Sequence, residues 1–393
     1  MDKQNLRVNL ELVDVAQNLA VWREEITVSP QDLVALHERL AARTAGGLLP
    51  AMNVVGTFPD GLPVPKNEQA FELFQHSLSI PLDPESNLLG IKKLEESISL
   101  DGSYAPAWGE LGGRYYVDFH YGSGREESVA KSLQAFRRQS ELDPNAAPVW
   151  TITRVEQGDL NGAYDQVARF LHQHPDSRLA HYEMSYVLRY AGLLDEAGRE
   201  CDAALALDPG YFGLRSCAVP FILRGDYAHA QRYISLDEKG FGALMGVRIA
   251  LRNRDGAAAL AGYDTAVQFG YLGHDNVVRT LLRACLNHVP ETELRQAVAP
   301  VETEPIAAHD PELFYQNAEL LAFCGQGDGA LRLLAKAIRG GHCSYPSMDN
   351  DPSFDPIRQR PEFGALRQAG VQCQEQFLVH RQQADGALAV SQF

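Results

Sequence analysis

The stretch GDLNGAYDQVARFLHQHPDSRLAHYEMSYVLRYAGLLDEAGRECDAALALDP, residues 158–209, decides the fold of this chain. Its small residues and prolines recur in phase, with the members in the order Gly158, Ala163, Pro175 and then Gly192, Ala197, Pro209. The second proline follows the first after 34 residues. A period of this size is typical of repeated helix pairs.

Each residue type suits its place in such a pair. A glycine readily adopts the left-handed conformation that ends the first helix, helix A, and a proline stops the second helix, helix B. The alanine lets the two helices cross closely. The pattern extends beyond residues 158–209. Pro144 precedes it, and the same five-residue spacing from glycine to alanine recurs after it, at Gly225 and Ala230 and at Gly325 and Ala330.

Helix A of an earlier unit carries Trp108, Leu111, Gly112 and Tyr115. With these residues the chain resembles the tetratricopeptide repeat family over residues 67–338. The resemblance implies a mainly α fold, a superhelical α-solenoid of helix hairpins whose concave face binds other proteins or peptides. The pattern is interrupted by an insertion at residues 120–124, and from 241 to 311 the units lose their prolines and cannot be phased.

The first 48 residues follow another pattern. Apolar and polar residues alternate over residues 6–15 and again over 19–22, which predicts a β-hairpin with a turn at Gln17-Asn18, and residues 32–43 show helical spacing. This order is similar to the later part of a TolB-like domain, which in bacterial kinases, nucleotide cyclases and winged-helix regulators precedes tetratricopeptide repeats. We therefore predict an incomplete α/β segment at 1–48, a Pro/Gly-rich linker at 49–66, the solenoid at 67–367 and a C-terminal tail at 368–393.

Charge and composition restrict the partners. The formal net charge of −16 disfavours nucleic acid, because a phosphate backbone would be repelled. The chain shows no secretory signal and no apolar run long enough to span a membrane, which predicts a cytoplasmic protein as written. An extracytoplasmic location would follow if a membrane-spanning upstream part is missing. The six cysteines form no C-x-x-C pair, so most are expected to be reduced thiols.

The sequence contains no recognisable catalytic, cofactor or metal motif. His172 and His174 are two positions apart, which points their rings in different directions on a helix. Gly340-Gly341-His342-Cys343 places a thiol beside an imidazole at a predicted helix end, where a catalytic alignment is not expected. We therefore expect no enzyme activity, no cofactor and no metal.

The groove residues are estimated by counting along helix A. The side chains that this count places on the concave face are Tyr116, Tyr182, Tyr186, Arg189, Arg215 and Tyr315. Tyrosine and arginine are the residue types most often energetic at interfaces, although the same tyrosines could pack between neighbouring A helices. Two hypotheses remain open: a non-catalytic protein- or peptide-binding scaffold, and the ligand-sensing C-terminal half of a bacterial signalling protein. The partner's identity and the oligomeric state are not predicted.

Overall fold

The structure is a computed structural model of the 393-residue chain. It describes residues 6–15, 19–29, 32–43, 48, 52, 65–82, 84–122, 126–143, 146, 151–237, 240–272, 276–303 and 310–390. The chain forms two compact units, which we describe separately. The first unit contains residues 1–118 and 125–144, and the second contains residues 119–124 and 145–393.

The first unit begins with a two-stranded antiparallel sheet and one helix. β1 (Leu6–Asp14) pairs with β2 (Leu19–Val28) in a register that runs from Leu6 opposite Val28 to Asp14 opposite Leu19. Helix α1 (Leu33–Arg43) packs against β2. The predicted hairpin is confirmed. The predicted turn at 17–18 lies outside the described residues, as does most of the predicted linker.

Helix pairs follow in the same unit, with the bounds α2 (Glu68–Leu78), α3 (Pro84–Leu100), α4 (Ala105–Val117) and α5 (Glu126–Leu142). A π-helical turn, Asp118–Gly122, follows α4, and its residues from 119 onward belong to the second unit. Helices α4 and α5 cross so closely at Gly112 that an added Cβ atom would lie 2.6 Å from the Phe136 ring. Only glycine fits this crossing without rearrangement, which explains Gly112 among the helix A residues.

The second unit continues with paired helices. Their bounds are α6 (Thr151–Glu156), α7 (Leu160–Gln173), α8 (Arg178–Tyr190), α9 (Leu194–Leu207), α10 (Ala218–Arg224), which a 3-10 turn (Phe212–Cys217) precedes, α11 (Tyr227–Ile234), α12 (Phe241–Arg252), α13 (Gly256–Gln268), α14 (Val277–Leu286), α15 (Glu291–Glu302), α16 (Pro311–Phe323), α17 (Gly327–Arg339), α18 (Tyr345–Asn350) and α19 (Pro361–Val390). Each A helix packs against the B helix that follows it, from α6 with α7 to α16 with α17.

The turns between paired helices have the predicted left-handed glycines. Their φ angles are 81° at Gly158, 77° at Gly192, 79° at Gly225 and 73° at Gly325. The alanines five positions later, residues 163, 197, 230 and 330, are fully buried. The chain is thus mainly α-helical and built as a tetratricopeptide-type solenoid, with the small sheet at its N-terminus.

Helices α12 to α15, in the segment where the sequence pattern is lost, also form helix pairs. Arg254 ends the turn after α12 with a φ of 58°, and His288 follows α14 with a φ of 51°. Both residues therefore occupy the left-handed position that glycine takes in the other pairs. The absence of glycine from these two turns, together with the lost prolines, explains why this segment could not be phased from the sequence.

The last helix folds back onto the repeats of the second unit. Helix α19 packs against α7, where Tyr164 donates a hydrogen bond to Asp385 at 2.6 Å and His380 Nε2 lies 2.8 Å from Asp165 Oδ1. The predicted boundary at residue 367 falls inside this helix, and the predicted domain limits stay predictions. Among the helices that the structure describes, none combines the length and apolar character needed to cross a bilayer.

Candidate functional site

The central predicted groove residues, on α8, face the interior of the second unit. Tyr186 donates a hydrogen bond to Glu156 Oε1 at 2.8 Å, and Arg189 donates from Nη2 to Glu312 Oε2 at 2.8 Å. The Arg189 guanidinium also lies 4.0 Å from the centroid of the Tyr186 ring. Arg189 is only 3% exposed and Tyr186 only 6%, whereas Tyr182 is half-buried. Their role in partner binding stays a prediction.

The remaining predicted residues are dispersed. Half-buried Tyr116 lies on α4 in the first unit. In the second unit, Arg215 pairs with Asp237 at 3.4 Å. Tyr315 is 1% exposed, and its hydroxyl donates to Asp351 at 3.5 Å. The structure thus brings Tyr186 and Arg189 together but does not gather all the predicted residues on one open face.

Buried arginines and acids fill the space between α12 and α16. Arg252 on α12 contacts Glu319 on α16 at 2.8 Å and Asp351 at 2.9 Å, and Arg248 contacts Glu319 at 3.2 Å. All four side chains are almost fully buried. A buried charge is strongly destabilising unless it is paired, so these contacts hold the A helices together on the inside of the unit.

The paired charges determine the ionisation of the buried acids. Burial by itself would raise the pKa of Glu319, but Arg248 and Arg252 outweigh this and lower it to about 2. Burial and the neighbouring Glu319 charge raise the pKa of Asp351 to about 7, although Arg252 opposes the shift. Near neutral pH, Glu319 is therefore the charged partner of the arginines, and Asp351 can hold a proton.

A second buried group combines one imidazole with two carboxylates. One ligand atom each of His120, Glu156 and Asp310 lies within 4.8 Å of the other two. His120 Nε2 is 3.5 Å from Glu156 Oε2. Asp310 Oδ1 accepts a hydrogen bond from Tyr190 at 2.5 Å. Burial and the charge of neighbouring Glu312 raise the pKa of Asp310.

His342 and Cys343 are not arranged as a catalytic pair. The His342 ring is 1% exposed and lies 5.2 Å from the ring centroids of both Tyr190 and Tyr315. Burial, with Arg189 nearby, lowers the pKa of His342 to about 3, so the imidazole is neutral. Cys343 is bonded to Cys373 and is not available as a nucleophile.

The expectation of mostly reduced cysteines is wrong. Disulfides join Cys201 to Cys217 and Cys343 to Cys373, with Cα–Cα distances of 5.7 and 5.3 Å. Cys285 and Cys324 are the free cysteines. The bonded partners are far apart in the sequence and come together only because neighbouring helices pack, so no local spacing motif could reveal them.

An outer cleft lies between α15 and α17 of the second unit. It has a volume of about 850 Å³ and a floor that includes Val298, Ala322 and Ile357. Its rim carries charges of both signs, namely Arg295, Arg332, Arg360, Glu291, Glu302 and Asp328. Arg332 holds Glu302 through two hydrogen bonds of 3.0 and 2.6 Å. The cleft thus has an apolar base and an exposed charged edge.

No protein-family model and no curated protein sequence matches the chain. Among solved structures, it is similar to Pseudomonas aeruginosa PilF at 17% identity and a TM-score of 0.34, covering 59% of this chain and 97% of that one. It is also similar to the APC/C hetero-tetramer Cut9–Hcn1 at 10% identity and a TM-score of 0.46, covering 77% and 66%. For yeast Tom70 the identity is 16%, the TM-score 0.39 and the coverage 85% and 77%. The assignment of the fold therefore depends on the helix pairs described above.

No sequence pattern indicated His120, Glu156 or Asp310 as a candidate ligand. His120 belongs to the insertion that interrupts the repeat, and Asp310 accepts a hydrogen bond from the Glu312 amide as the N-cap of α16. The insertion was the one sequence signal for this site, because residues that break a repeat often have a separate role. The spacing of the three ligands gives no further signal, since they come from three separate turns of the solenoid.

Proposed function

We propose that this protein is a non-catalytic scaffold that binds a peptide or protein segment in the outer cleft between α15 and α17. The cleft is the observation that carries the proposal. Its volume of about 850 Å³ lies within the range of ligand-binding pockets. The interior of the unit, by contrast, is filled by its own arginine–carboxylate pairs.

The rim chemistry indicates what the cleft would bind. The Arg332 side chain is 59% exposed and that of Arg295 is 74% exposed, although each has an acidic partner. Exposed ion pairs contribute little to folding stability, so a partner's carboxylate can compete for these guanidinium groups at small cost. A segment with an apolar anchor and an acidic side chain that reaches Arg332 or Arg295 fits this arrangement.

Peptide display on phage tests the proposal with the full-length chain. Enriched peptides are measured by fluorescence polarisation against the wild-type protein, Arg332→Glu and Arg232→Glu. Arg232 is a matched control, because it is a similarly exposed arginine on α11, away from the cleft. We expect Arg332→Glu to weaken binding about tenfold, equivalent to about 1.4 kcal/mol, and Arg232→Glu to change it less than about twofold. Equal affinities for all three proteins, or no enriched peptide, would overturn the cleft as the binding site.

The same binding assay also tests the predicted groove residues as an alternative contact surface. Alanine at Tyr182, Tyr186 and Arg189 should weaken capture if these side chains touch the partner. Because Tyr186 and Arg189 are buried, only a loss of binding at unchanged thermal stability supports direct contact. A loss of binding that accompanies unfolding counts against it.

We also propose that the chain works in an oxidising compartment, which is the extracytoplasmic alternative of the sequence analysis. The support is the pair of disulfides, Cys201–Cys217 and Cys343–Cys373, because such bonds persist mainly in secreted, periplasmic or luminal proteins. Peptide mapping of the protein from its native cells tests this. Reduced thiols at all four positions would contradict it.

The ligand-sensing half of a signalling protein is a second candidate. The favouring observation is the TolB-like order of β1, β2 and α1, together with apolar side chains left exposed on the hairpin: Leu19 is 59% exposed and Val21 is 52% exposed. Additional strands could cover these side chains. Sequencing the gene upstream of Met1 tests the idea, because an in-frame kinase, cyclase or winged-helix segment favours it and an upstream stop codon with a ribosome-binding site opposes it.

A further inference from the structure

We propose that His120, Glu156 and Asp310 form a three-ligand site for a divalent transition-metal ion, with Zn²⁺ as the preferred ion. The three residues come from the π-helical turn after α4, the C-terminal end of α6 and the N-cap of α16, and all belong to the second unit. The site is separate from the outer cleft, so it does not depend on the proposed peptide binding.

The spacing of the ligand atoms suits a small ion. Zinc bound at its usual distances to nitrogen and oxygen places neighbouring ligand atoms about 3.3 Å apart. His120 Nε2 and Glu156 Oε2 are 3.5 Å apart, and the Asp310 oxygen lies within 4.8 Å of both. Ligand atoms that already lie within 4.8 Å of one another need to approach by about 1.5 Å or less to reach the zinc spacing.

Hydrogen bonds from a second layer orient both carboxylates. Tyr186 donates to Glu156 Oε1 at 2.8 Å, and Tyr190 donates to Asp310 Oδ1 at 2.5 Å. The two tyrosines lie one turn apart on α8 and stack with their ring centroids 5.2 Å apart. Metal-binding carboxylates are commonly fixed in this way by outer hydrogen bonds. The arrangement keeps Glu156 Oε2 on the side that faces His120.

The charge of the group favours a cation over an empty core. Glu156 and Asp310 are each about 6% exposed, and Glu312 is close to Asp310. Arg189 pairs with Glu312 at 2.8 Å, and the His120 imidazole lies 3.5 Å from Glu156 Oε2. A divalent ion would offset two buried carboxylates at once, and buried charges are tolerated when they are paired or coordinate a metal.

The donor set selects the class of ion. Ca²⁺ and Mg²⁺ prefer sites made of oxygen ligands, whereas an imidazole nitrogen with two carboxylates suits Zn²⁺, Mn²⁺ or Fe²⁺. Zn²⁺ binds most tightly of these three by the general order of affinities. Because the ligands come from distant parts of the sequence and are buried, the ion would act as a structural clamp of the second unit.

Metal content and thermal unfolding of the full-length protein test the proposal. The protein is stripped with EDTA, dialysed against ZnSO₄ and then against metal-free buffer, and analysed by inductively coupled plasma mass spectrometry. We expect about one Zn²⁺ per chain and a melting temperature about 5 °C higher than that of the stripped protein, because binding to the folded state alone stabilises it. His120→Ala should weaken Zn²⁺ binding at least about 100-fold.

His229→Ala is the matched control. Its Nε2 lies 3.0 Å from Asp202 and its Nδ1 lies 3.8 Å from Asp226, so its two nitrogens face different carboxylates and cannot hold one ion together. This variant should keep the full zinc content. Zinc retained by His120→Ala, or lost equally in His229→Ala, would overturn the assignment.

A spectroscopic measurement keeps the test valid if His120→Ala does not fold. The absorption spectrum of the Co²⁺-loaded wild-type protein should show a low-symmetry site without thiolate charge-transfer bands, since no cysteine belongs to the ligand set. Tyr190→Phe, which removes one outer hydrogen bond and no ligand, should weaken Zn²⁺ binding about tenfold. Thiolate bands, or a wild-type protein that retains no Zn²⁺ after dialysis, would refute the site.

Discussion

Arg189 on α8 donates a hydrogen bond from Nη2 to Glu312 Oε2 on α16 at 2.8 Å, and both side chains are nearly inaccessible to solvent. The two residues are 123 positions apart in the sequence. Their contact joins two A helices across the interior of the second unit. The face that the repeat pattern predicts to be an open groove is therefore closed at this point by the protein's own side chains.

Breaking this pair should destabilise the second unit strongly. Glu312→Ala leaves the Arg189 guanidinium buried without its partner, and we expect the free energy of unfolding to fall by about 3 kcal/mol. The double variant Arg189→Met/Glu312→Ala should lose less than Glu312→Ala alone, because no unpaired charge remains; with the wild-type protein and Arg189→Met, these variants complete a double-mutant cycle. Guanidinium chloride unfolding of the four proteins of the cycle measures the coupling. Additive losses would mean that the pair does not connect the two helices energetically.

The left-handed turn glycines provide a second prediction. Gly225 has a φ of 79°, and no heavy atom lies within 4 Å of an added Cβ, so Gly225→Ala strains the backbone without a clash. We expect a loss of about 1 kcal/mol in the free energy of unfolding. Gly246, inside α12, is equally unobstructed, and Gly246→Ala should add about 0.5 to 1 kcal/mol. Chemical denaturation compares the two; changes of the same sign would contradict the assigned conformations.

The repeats could be predicted from the sequence where the same residue types recur at equivalent positions, and not elsewhere. Gly158, Gly192 and Gly225 mark the turns because glycine is the residue that most easily takes a positive φ. Arg254 and His288 take the same conformation at a higher cost, and the sequence gives no signal that they do so. The tertiary structure, and not a local preference, holds these two residues in place.

The buried contacts around Tyr186 and Arg189 could not be predicted from the sequence, for a different physical reason. Periodicity shows which residues of a helix face its neighbours, and it correctly places Tyr186 and Arg189 on one face of α8. It does not show that Glu156 and Glu312, from other helices, lie against that face. Contacts between distant A helices depend on how the repeats of the second unit stack on one another, which no local residue pattern specifies.

The neutral buried His342 predicts a dependence of stability on pH. Both ring nitrogens lack a hydrogen-bond partner among the described residues. Burial and the cations Arg189 and Arg248 lower its pKa to about 3 from an ordinary value of 6.5. Between pH 3 and pH 6.5 the unfolded chain binds a proton at this imidazole that the folded protein does not bind. The contribution of His342 to the free energy of unfolding is therefore complete above pH 6.5 and is lost as the pH falls, by at most about 1.4 kcal/mol per pH unit.

Replacing this imidazole with a phenyl ring isolates the effect. His342→Phe should flatten the slope between pH 4 and 6 and leave stability at pH 7 equal or about 1 kcal/mol higher, because an unsatisfied polar ring is removed. Asp351, whose raised pKa of about 7 gives an opposite slope, is present in both proteins and cancels in the comparison. Urea unfolding at each pH makes the measurement, and identical slopes for the two proteins would refute it.

The disulfides predict a chemical pattern for the cysteines. Non-reducing peptide mapping should recover linked peptides for Cys201–Cys217 and Cys343–Cys373. Cys285 should be alkylated before Cys324, because the hydrogen bond from Cys324 lowers the pKa of Cys285 and the thiolate is the reactive form. Equal rates at the two thiols, or linked peptides with other partners, would contradict the structure.

The Cys343–Cys373 bond should also contribute measurably to stability. It ties the segment after α17 to α19 and closes a loop of 30 residues, for which the entropy of loop closure gives about 3 to 4 kcal/mol. We therefore expect Cys343→Ser/Cys373→Ser to lower the free energy of unfolding by up to this amount, and the wild-type protein to lose the same amount when it is reduced. The variant itself should be insensitive to reductant apart from the effect of Cys201–Cys217. If reduction destabilises the wild-type protein no more than the variant, the bond is not formed in solution, and the proposed oxidising compartment loses its main support.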